Sequence, residues 1–310
     1  METFQKWNFL VPELREHSLS YFNPKELFQY AQCSKVGNSE IQRFNTIAPW
    51  RLCLRRLKRD DEMIMINLKY SRRRREVCWF FTKDDKTHYK VARRYVDLQS
   101  PETHKILEGN ARDAALQFLS KQLKYVKTSK IRKIKIDFNG WPFRWGMSPA
   151  ISQAPSWDIR LYPSMFEECM NALMENSNIK KLHFRTDEHI CIPSEFSKSN
   201  MFKKLDKARI FLRLMIQDED FLASKASYLF FACDTVSNNA INRKIWDWYD
   251  CRLKELTFAI CFTTRRIVNE HSILFDLPFE QENFEDYVIR RSDGKNACVT
   301  FYDNSMTFIS

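Results

Sequence analysis

The sequence predicts an α/β protein: a small all-α N-terminal module, then a larger α/β domain with antiparallel β-strands and a C-terminal β-hairpin. Three patterns carry that expectation. Apolar residues spaced as in short helices occupy the first 45 positions. The period changes to two after residue 63, and a six-residue apolar pattern then recurs with helical stretches between its copies. The 310 residues have room for about two ordinary domains. With 44% hydrophobic and 14% aromatic residues, intrinsic disorder is excluded.

In chain order, Asn23 is an N-cap ahead of Pro24 in a first helical turn, followed by Leu27, Phe28 and Ala31, with Gly37 as the stop. Met63, Met65 and Asn67 alternate with Ile64, Ile66 and Leu68. Strands follow at 77–81 and 88–92 around the charged turn Lys83, Asp84, Asp85, Lys86, giving a small antiparallel meander. Asn110 precedes a one-faced stripe of Ala111, Ala114, Ala115, Phe118, Leu119 and Leu123. Ser164 and Glu167 form a capping box after Pro163, opening a helix with Met170, Leu173 and Met174. Asn239 precedes a further stripe, Ile241, Ile245 and Trp248. Strands at 287–291 and 297–302 are joined by Asp293-Gly294, a strong hairpin signal, and 306–309 makes a third strand.

The recurring hexad is φ-x-x-φ-x-φ with φ apolar. It occurs as Ile131/Ile134/Ile136, Ile179/Leu182/Phe184, Leu205/Ala208/Ile210, Ala226/Leu229/Phe231 and Leu253/Leu256/Phe258, with starts 48, 26, 21 and 27 residues apart. Three of those spacings fall in the window of leucine-rich repeats, so the domain is expected to be leucine-rich-repeat-like. An ordinary βαβα domain whose strands share a period by chance fits the same residues. Residues 139–163 hold Trp141, Trp145 and Trp157, four prolines and few charges, and read as a binding loop or a packed flap.

The inventory of chemistry is nearly empty. Glycine occurs only at 37, 109, 140, 146 and 294, with no pair at the spacing of G-x-G-x-x-G or of G-x-x-x-x-G-K-[ST]. Nucleotide enzymes that cradle phosphate in those two ways are excluded. The nine cysteines include no C-x-x-C and form neither a zinc ribbon nor a disulfide scaffold, which suits a reducing compartment. His183 and His189, with Asp187 and Glu188 between, read as a solvated loop after a strand or, alternatively, as a metal cluster. There is no G-x-S-x-G elbow. The expectation is a protein that is not an enzyme, with no cofactor or metal. The early acid at Glu2, the lack of an apolar leader and the absence of a ~20-residue apolar run point to a soluble protein of the cytoplasm, the nucleus or both, with no membrane segment.

Charge is concentrated. Residues 51–94 hold 15 Lys and Arg against 6 Asp and Glu, most of the whole chain's +11. Arg72 to Arg75 lie within this stretch, near Trp79, Phe80 and Phe81. The favoured reading is a solvated hairpin loop with basic edge strands, because Trp79 to Phe81 read as a buried strand. A strip for nucleic acid, a nuclear import signal and a surface for an acidic partner are the alternatives.

Leu10, Val11, Pro12, Glu13 and Leu14, then Leu19 to Leu27 (Leu-Ser-Tyr-Phe-Asn-Pro-Lys-Glu-Leu), then Cys33, Ser34 and Lys35, resemble an F-box. Val11 stands where the family has proline, Ser18 replaces an apolar residue, and Gly37 stands where the closing tryptophan is expected. Trp7 before the motif is a habit of nematode F-box proteins. Residues 239–246, followed by Arg252 to Leu256, resemble the helix and strand of the type 2 F-box-associated domain of nematodes. Residues 287–297 resemble its closing Ile-x-Arg-x-Asp-Gly-x-x-Ala hairpin.

The resemblance implies an F-box in residues 1–46 and an F-box-associated substrate-recognition domain in residues 47–310. It implies a substrate-recognition adaptor of a Skp1-cullin-F-box ubiquitin ligase, docking on a Skp1-type linker and through it on a cullin. The C-terminal domain would present an unidentified target protein for ubiquitination. The docking residues it implies are Leu10, Pro12, Leu14, Leu19, Phe22, Pro24 and Leu27. A basic nucleic-acid-associated protein using residues 51–94, and an interaction scaffold outside a ligase, are the competing functions.

Overall fold

A computed structural model describes residues 18, 30, 51–56, 63–69, 75–95, 98–99, 103–123, 131–139, 151, 153–176, 178–262, 269–302 and 304–310. Of the expected N-terminal helical module, only Ser18 and Tyr30 fall among these, both helical; the rest lies outside the described residues. The chain divides into two compact units, residues 1–138 with 142–154, and residues 139–141 with 155–310.

The first unit is built on strands β1 (Arg51–Arg56), β2 (Ile64–Lys69), β3 (Arg75–Lys83), β4 (Lys86–Tyr95), β5 (Leu98–Gln99), β6 (Thr103–Leu107) and β7 (Lys133–Asp137), with helix α1 (Ala111–Leu123) between the last two. β2 to β4 form the expected antiparallel meander, and β1 pairs antiparallel with β2 ahead of it. β5 and β6 pair with β4, and β7 adds in parallel to β1. Alternation decides the faces: Ile64, Ile66 and Leu68 are buried while their neighbours are half-exposed. Leu52, Leu54, Cys78, Phe80 and Val91 complete the inner face, each large apolar side chain worth roughly 1.5–3 kcal/mol when buried. α1 seals it with Phe118, whose ring lies 5.6 Å from Phe80 and 5.7 Å from Tyr89. Asn110 caps that helix, its Oδ1 accepting from the Asp113 N–H at 2.7 Å. Of the expected buried run, only Phe80 is buried; Trp79 and Phe81 are half-buried on the other face, as a strand of period two requires. Residues 72–74 lie outside the described residues, and Arg75 opens β3.

The second unit contains β8 (Ser156–Arg160), α2 (Phe166–Met174), β9 (Lys181–Arg185), β10 (Cys191–Ile192), α3 (Ser194–Lys198), α4 (Asn200–Lys203), β11 (Lys207–Leu214), α5 (Asp218–Ala223), β12 (Tyr228–Ala232), α6 (Asn238–Tyr249), β13 (Thr257–Cys261), α7 (Glu270–Ile273), β14 (Phe279–Gln281), β15 (Asp286–Arg290), β16 (Asn296–Tyr302) and β17 (Ser305–Ile309). β8, β9, β11, β12 and β13 run parallel in that order, and β17, β16, β15 and β14 continue the sheet antiparallel. The short β10 extends β9's edge along β11.

Two buried rows cross this sheet. One joins Trp157, Leu182, Ala208, Leu229, Phe258, Phe308, Val299 and Tyr287; the next joins Ile159, Phe184, Ile210, Phe231, Ile260, Met306 and Phe301. Every member is at most 8% exposed. The helices cover these rows: Phe196 of α3 lies 5.7 Å from Phe184, Phe221 of α5 lies 5.9 Å from Phe231, and Trp248 of α6 lies 5.3 Å from Phe308.

The rows correct three expectations. Ile134 and Ile136 belong to β7 in the first unit, and the strand beside β9 is β8, inside the stretch expected to be a loop. Pro155 and Pro163 bracket β8, and its buried Trp157 and Ile159 give it the period of a strand. Along β13 the rows pass through Phe258 and Ile260, two residues beyond Leu256 and Phe258 of the hexad, because Phe258 stands opposite Leu229. The Ser164 hydroxyl donates to Asn139 Oδ1 instead of capping, and a 3-10 turn over Pro163–Met165 leads into α2. α6 is capped by Ser237, whose Oγ accepts from the Ala240 N–H at 3.1 Å, two places before Asn239.

Two buried cations fasten the helices and the closing hairpin. Lys244 of α6 is 1% exposed, and its ammonium donates to the carbonyls of Phe221, Leu222 and Ser224 at 3.3, 3.0 and 2.6 Å. At the end of α5, where helical carbonyls run out of intrahelical donors, the ammonium supplies them, joining the Ser224 N–H at the Phe221 carbonyl. Arg291 donates to Trp248 O and Leu253 O, each at 3.0 Å, and pairs with Asp293. Its guanidinium lies 4.8 Å from the centre of the Trp248 ring. The hairpin closes as expected at Gly294, with φ of +86°.

Candidate functional site

The expected docking residues Leu10, Pro12, Leu14, Leu19, Phe22, Pro24 and Leu27 all lie outside the described residues. No group of three or more His, Cys, Asp and Glu among the described residues could hold a metal. His183 sits on β9, its Nδ1 3.5 Å from Asp158, while His189 is exposed beyond the strand. Burial raises the pKa of the Cys169 and Cys261 thiols, away from the reactive thiolate. No helix among the described residues is long and apolar enough to cross a membrane.

The feature that stands out is the face of the second unit's sheet opposite its helices. β11 builds its centre. Its sequence, Lys-Ala-Arg-Ile-Phe-Leu-Arg-Leu, alternates strictly, burying Ala208, Ile210, Leu212 and Leu214 and exposing Lys207, Arg209, Phe211 and Arg213. Phe211 is 48% exposed, although it is a large apolar side chain in mid-strand. Its ring lies 4.6 Å from Phe230 of β12 and 5.4 Å from His183 of β9. The Arg209 guanidinium covers the Tyr228 ring at 4.9 Å.

Acids and bases on this face are unevenly matched. Asp158 lies 3.4 Å from Arg185, Arg160 pairs with Asp187, and Arg213 pairs with Asp234 at 3.0 Å. Lys181, Lys207 and Arg209 make no ion pair among the described residues. Lys181 and Lys207 stand directly opposite each other in neighbouring strands, and both are exposed. Like charges so placed destabilise a sheet. The arrangement can hold an anionic partner with an apolar group beside Phe211.

The first unit presents a second basic surface, a cleft lined by Arg51, Cys53, Arg55, Met65, Asn67, Lys69 and Lys135. It gathers part of the charge concentrated in residues 51–94. Arg55 there lies 3.6 Å from the buried Asp137.

The chain is 23% identical over 265 residues to an uncharacterized F-box protein of Caenorhabditis elegans. The alignment covers 79% of this chain and 67% of that protein. This likeness supports an F-box protein. No family model matches the chain, and no solved structure does.

Lys207, Arg209 and Phe211 are not among the residues singled out from the sequence alone. Their signal is legible there nonetheless: once Ala208 and Ile210 are placed inward by the hexad, a phenylalanine between two arginines must point outward.

Proposed function

We propose that the chain is a substrate-recognition adaptor of a Skp1-cullin-F-box ubiquitin ligase. Residues 1–46 form the F-box, which docks on a Skp1-type linker and through it on a cullin. Residues 47–310 form a type 2 F-box-associated, leucine-rich-repeat-like domain that binds a target protein for ubiquitination in the cytoplasm, the nucleus or both. The observation that carries this reading is the likeness to the nematode F-box protein over 79% of the chain. It is joined by the Leu10 to Leu27 motif, the lack of a catalytic constellation among the described residues, and an open sheet face in the C-terminal unit suited to a protein partner.

Leu10, Pro12, Leu14, Leu19, Phe22, Pro24 and Leu27 are the docking side chains. Each apolar one buried against the linker contributes roughly 1.5–3 kcal/mol. Leu19→Asp with Phe22→Asp in the full chain is expected to abolish co-purification with a Skp1-type linker and leave residues 100–310 folded. Undiminished co-purification by that double variant sinks the assignment.

A second reading, a nucleic-acid-associated protein, is favoured by one observation, the basic cleft of Arg51, Arg55, Lys69 and Lys135. A salt titration separates the two. Phosphate contacts weaken steeply as salt rises, whereas docking on the linker is mainly apolar and changes little.

A further inference from the structure

We propose that the open sheet face over β9, β11 and β12 binds an extended, acidic segment of the partner protein. Two carboxylates engage Lys207 and Arg209, and an apolar side chain packs on Phe211. The proposal rests on the adaptor reading only in calling that partner the ligase target.

Three observations converge on this occupant. First, the opposite face of the same strands carries the helices, through Phe196 on Phe184 of β9 and Phe221 on Phe231 of β12. The half-exposed Phe211 therefore belongs to a surface that β11 presents outward. Second, Lys181, Lys207 and Arg209 form a cationic group without acidic partners among the described residues, with two lysines directly opposed. Their repulsion makes the free protein less stable, and carboxylates from a partner relieve it. Third, the spacing selects an extended chain. Lys207 and Arg209 are successive outward positions of one strand, about 6–7 Å apart, and Phe211 is the next outward residue, where the register with β12 shifts between Ile210 and Arg213. Alternate side chains of an extended peptide repeat at the same interval. A segment running along β11 therefore meets it with acid-x-acid-x-apolar, or with the reverse order in the opposite direction.

The same cations and rings could attract single-stranded nucleic acid, but the geometry disfavours it. Base stacking needs open ring faces. Arg209 lies over Tyr228, and Phe211 and Phe230 are packed on each other at 4.6 Å with a 43° tilt.

The test uses the full-length chain as bait for a phage-displayed library of random 12-residue peptides. The expected pool is net acidic and carries acid-x-acid-x-apolar or its reverse. Lys207→Glu with Arg209→Glu is expected to weaken a selected peptide at least about tenfold, and to shift a fresh selection toward basic peptides. Phe211→Ala is expected to weaken it by about fivefold or more. Lys207→Glu places a carboxylate opposite Lys181, so the melting temperature should hold or rise while binding falls, which separates lost contact from lost fold. No enrichment, a neutral or basic pool, or undiminished binding by the variants overturns the proposal. So does a tighter grip on oligouridylate than on any selected peptide, which assigns the face to nucleic acid. Linker binding is measured on the same preparation. Its loss with peptide selection intact counts against the adaptor reading, and the reverse result counts against this one.

Discussion

From β1 to β4 in the first unit, strands that pair are neighbours in sequence. β3 and β4 are joined by the two residues Asp84 and Asp85, and the ladder from Arg75–Arg94 to Lys83–Lys86 follows from that turn. In the second unit, residues that stand opposite each other in β8, β9, β11, β12 and β13 are 25, 26, 21 and 29 positions apart, from Trp157 through Leu182, Ala208 and Leu229 to Phe258. No tight turn links them, so burial alone fixes the register: a slip of one residue would turn every buried side chain outward. The meander is set by its turns and the parallel ladder by its core. Variants at turns and in the core should therefore act unequally on the two.

The largest expected effect is in the parallel ladder, at β8. Trp157 is 3% exposed and opens the buried row opposite Leu182. Trp157→Ala should cost about 3–5 kcal/mol, the transfer free energy of the ring plus the cavity it leaves. Denaturant unfolding measures it. A loss below about 1 kcal/mol would mean that β8 is an appendage and the ladder begins at β9.

This difference also decides what the sequence discloses. The meander is legible because Met63 to Leu68 alternate and a charged turn follows. The hairpin at Gly294 is legible because Asp-Gly marks it. β8 is hidden because Trp157 stands among prolines and other tryptophans, a composition that reads as a loop. The register at β13 is hidden because Leu256, Phe258 and Ile260 are all buried, so two phases of the hexad fit the same strand. The expected docking residues lie outside the described residues and rest on their motif. The open face is half legible: the hexad orients β11, but only the pairing shows that Lys181 opposes Lys207 and that Phe211 neighbours Phe230.

Next in size is the polar tie beneath the ladder. Burial lowers the Lys244 ammonium from its ordinary 10.5 to about 8, against an upward pull from Asp247. Between those values the unfolded chain binds the proton and the folded chain does not, so stability rises with pH from about 8 to 10.5. Lys244→Met removes the ammonium donor from the carbonyls of Leu222 and Ser224 and the second donor from that of Phe221, at a cost of about 2–4 kcal/mol near neutral pH. It should also flatten that rise. Thermal unfolding of both proteins across pH 7.5–10 checks the sign, and parallel curves would show that Lys244 does not carry the slope.

The turn of the closing hairpin should matter less than the core beside it. Gly294 has φ of +86° and open space where a Cβ would be. The loss on substitution is therefore one of backbone strain without steric clash. Gly294→Val should cost about 1–2 kcal/mol, less than Trp157→Ala, with the hairpin still held by Arg291. Asp293, kept near a pKa of 2 chiefly by its hydrogen bonds to Arg291, should retain that contact in the variant. A loss matching that of Trp157→Ala would show that this hairpin is set by its turn, as the meander is, and would erase the contrast between the two units.

The smallest effect has the opposite sign and falls on the meander. Asp84 and Asp85 both have positive φ, 50° and 56°, in the two-residue loop between Lys83 and Lys86. Both central residues being left-handed is the geometry that matches the twist of the flanking strands. Glycine adopts it without the strain an aspartate bears. Asp85→Gly therefore relieves strain in the folded state while adding freedom to the unfolded chain. The first term is the larger at a left-handed position, so a net gain of about 0.5–1 kcal/mol is expected. The two carboxylates also lie between Lys83 and Lys86, but all four side chains are exposed, and surface pairs contribute little. Hydrogen exchange on the β3 and β4 amides reads the gain locally, as slower opening of the meander with the amides of β11 and β12 unchanged. Slower exchange in both units alike would show that the turn acts on the whole chain, and the separation between a meander set by its turns and a ladder set by its core would fail.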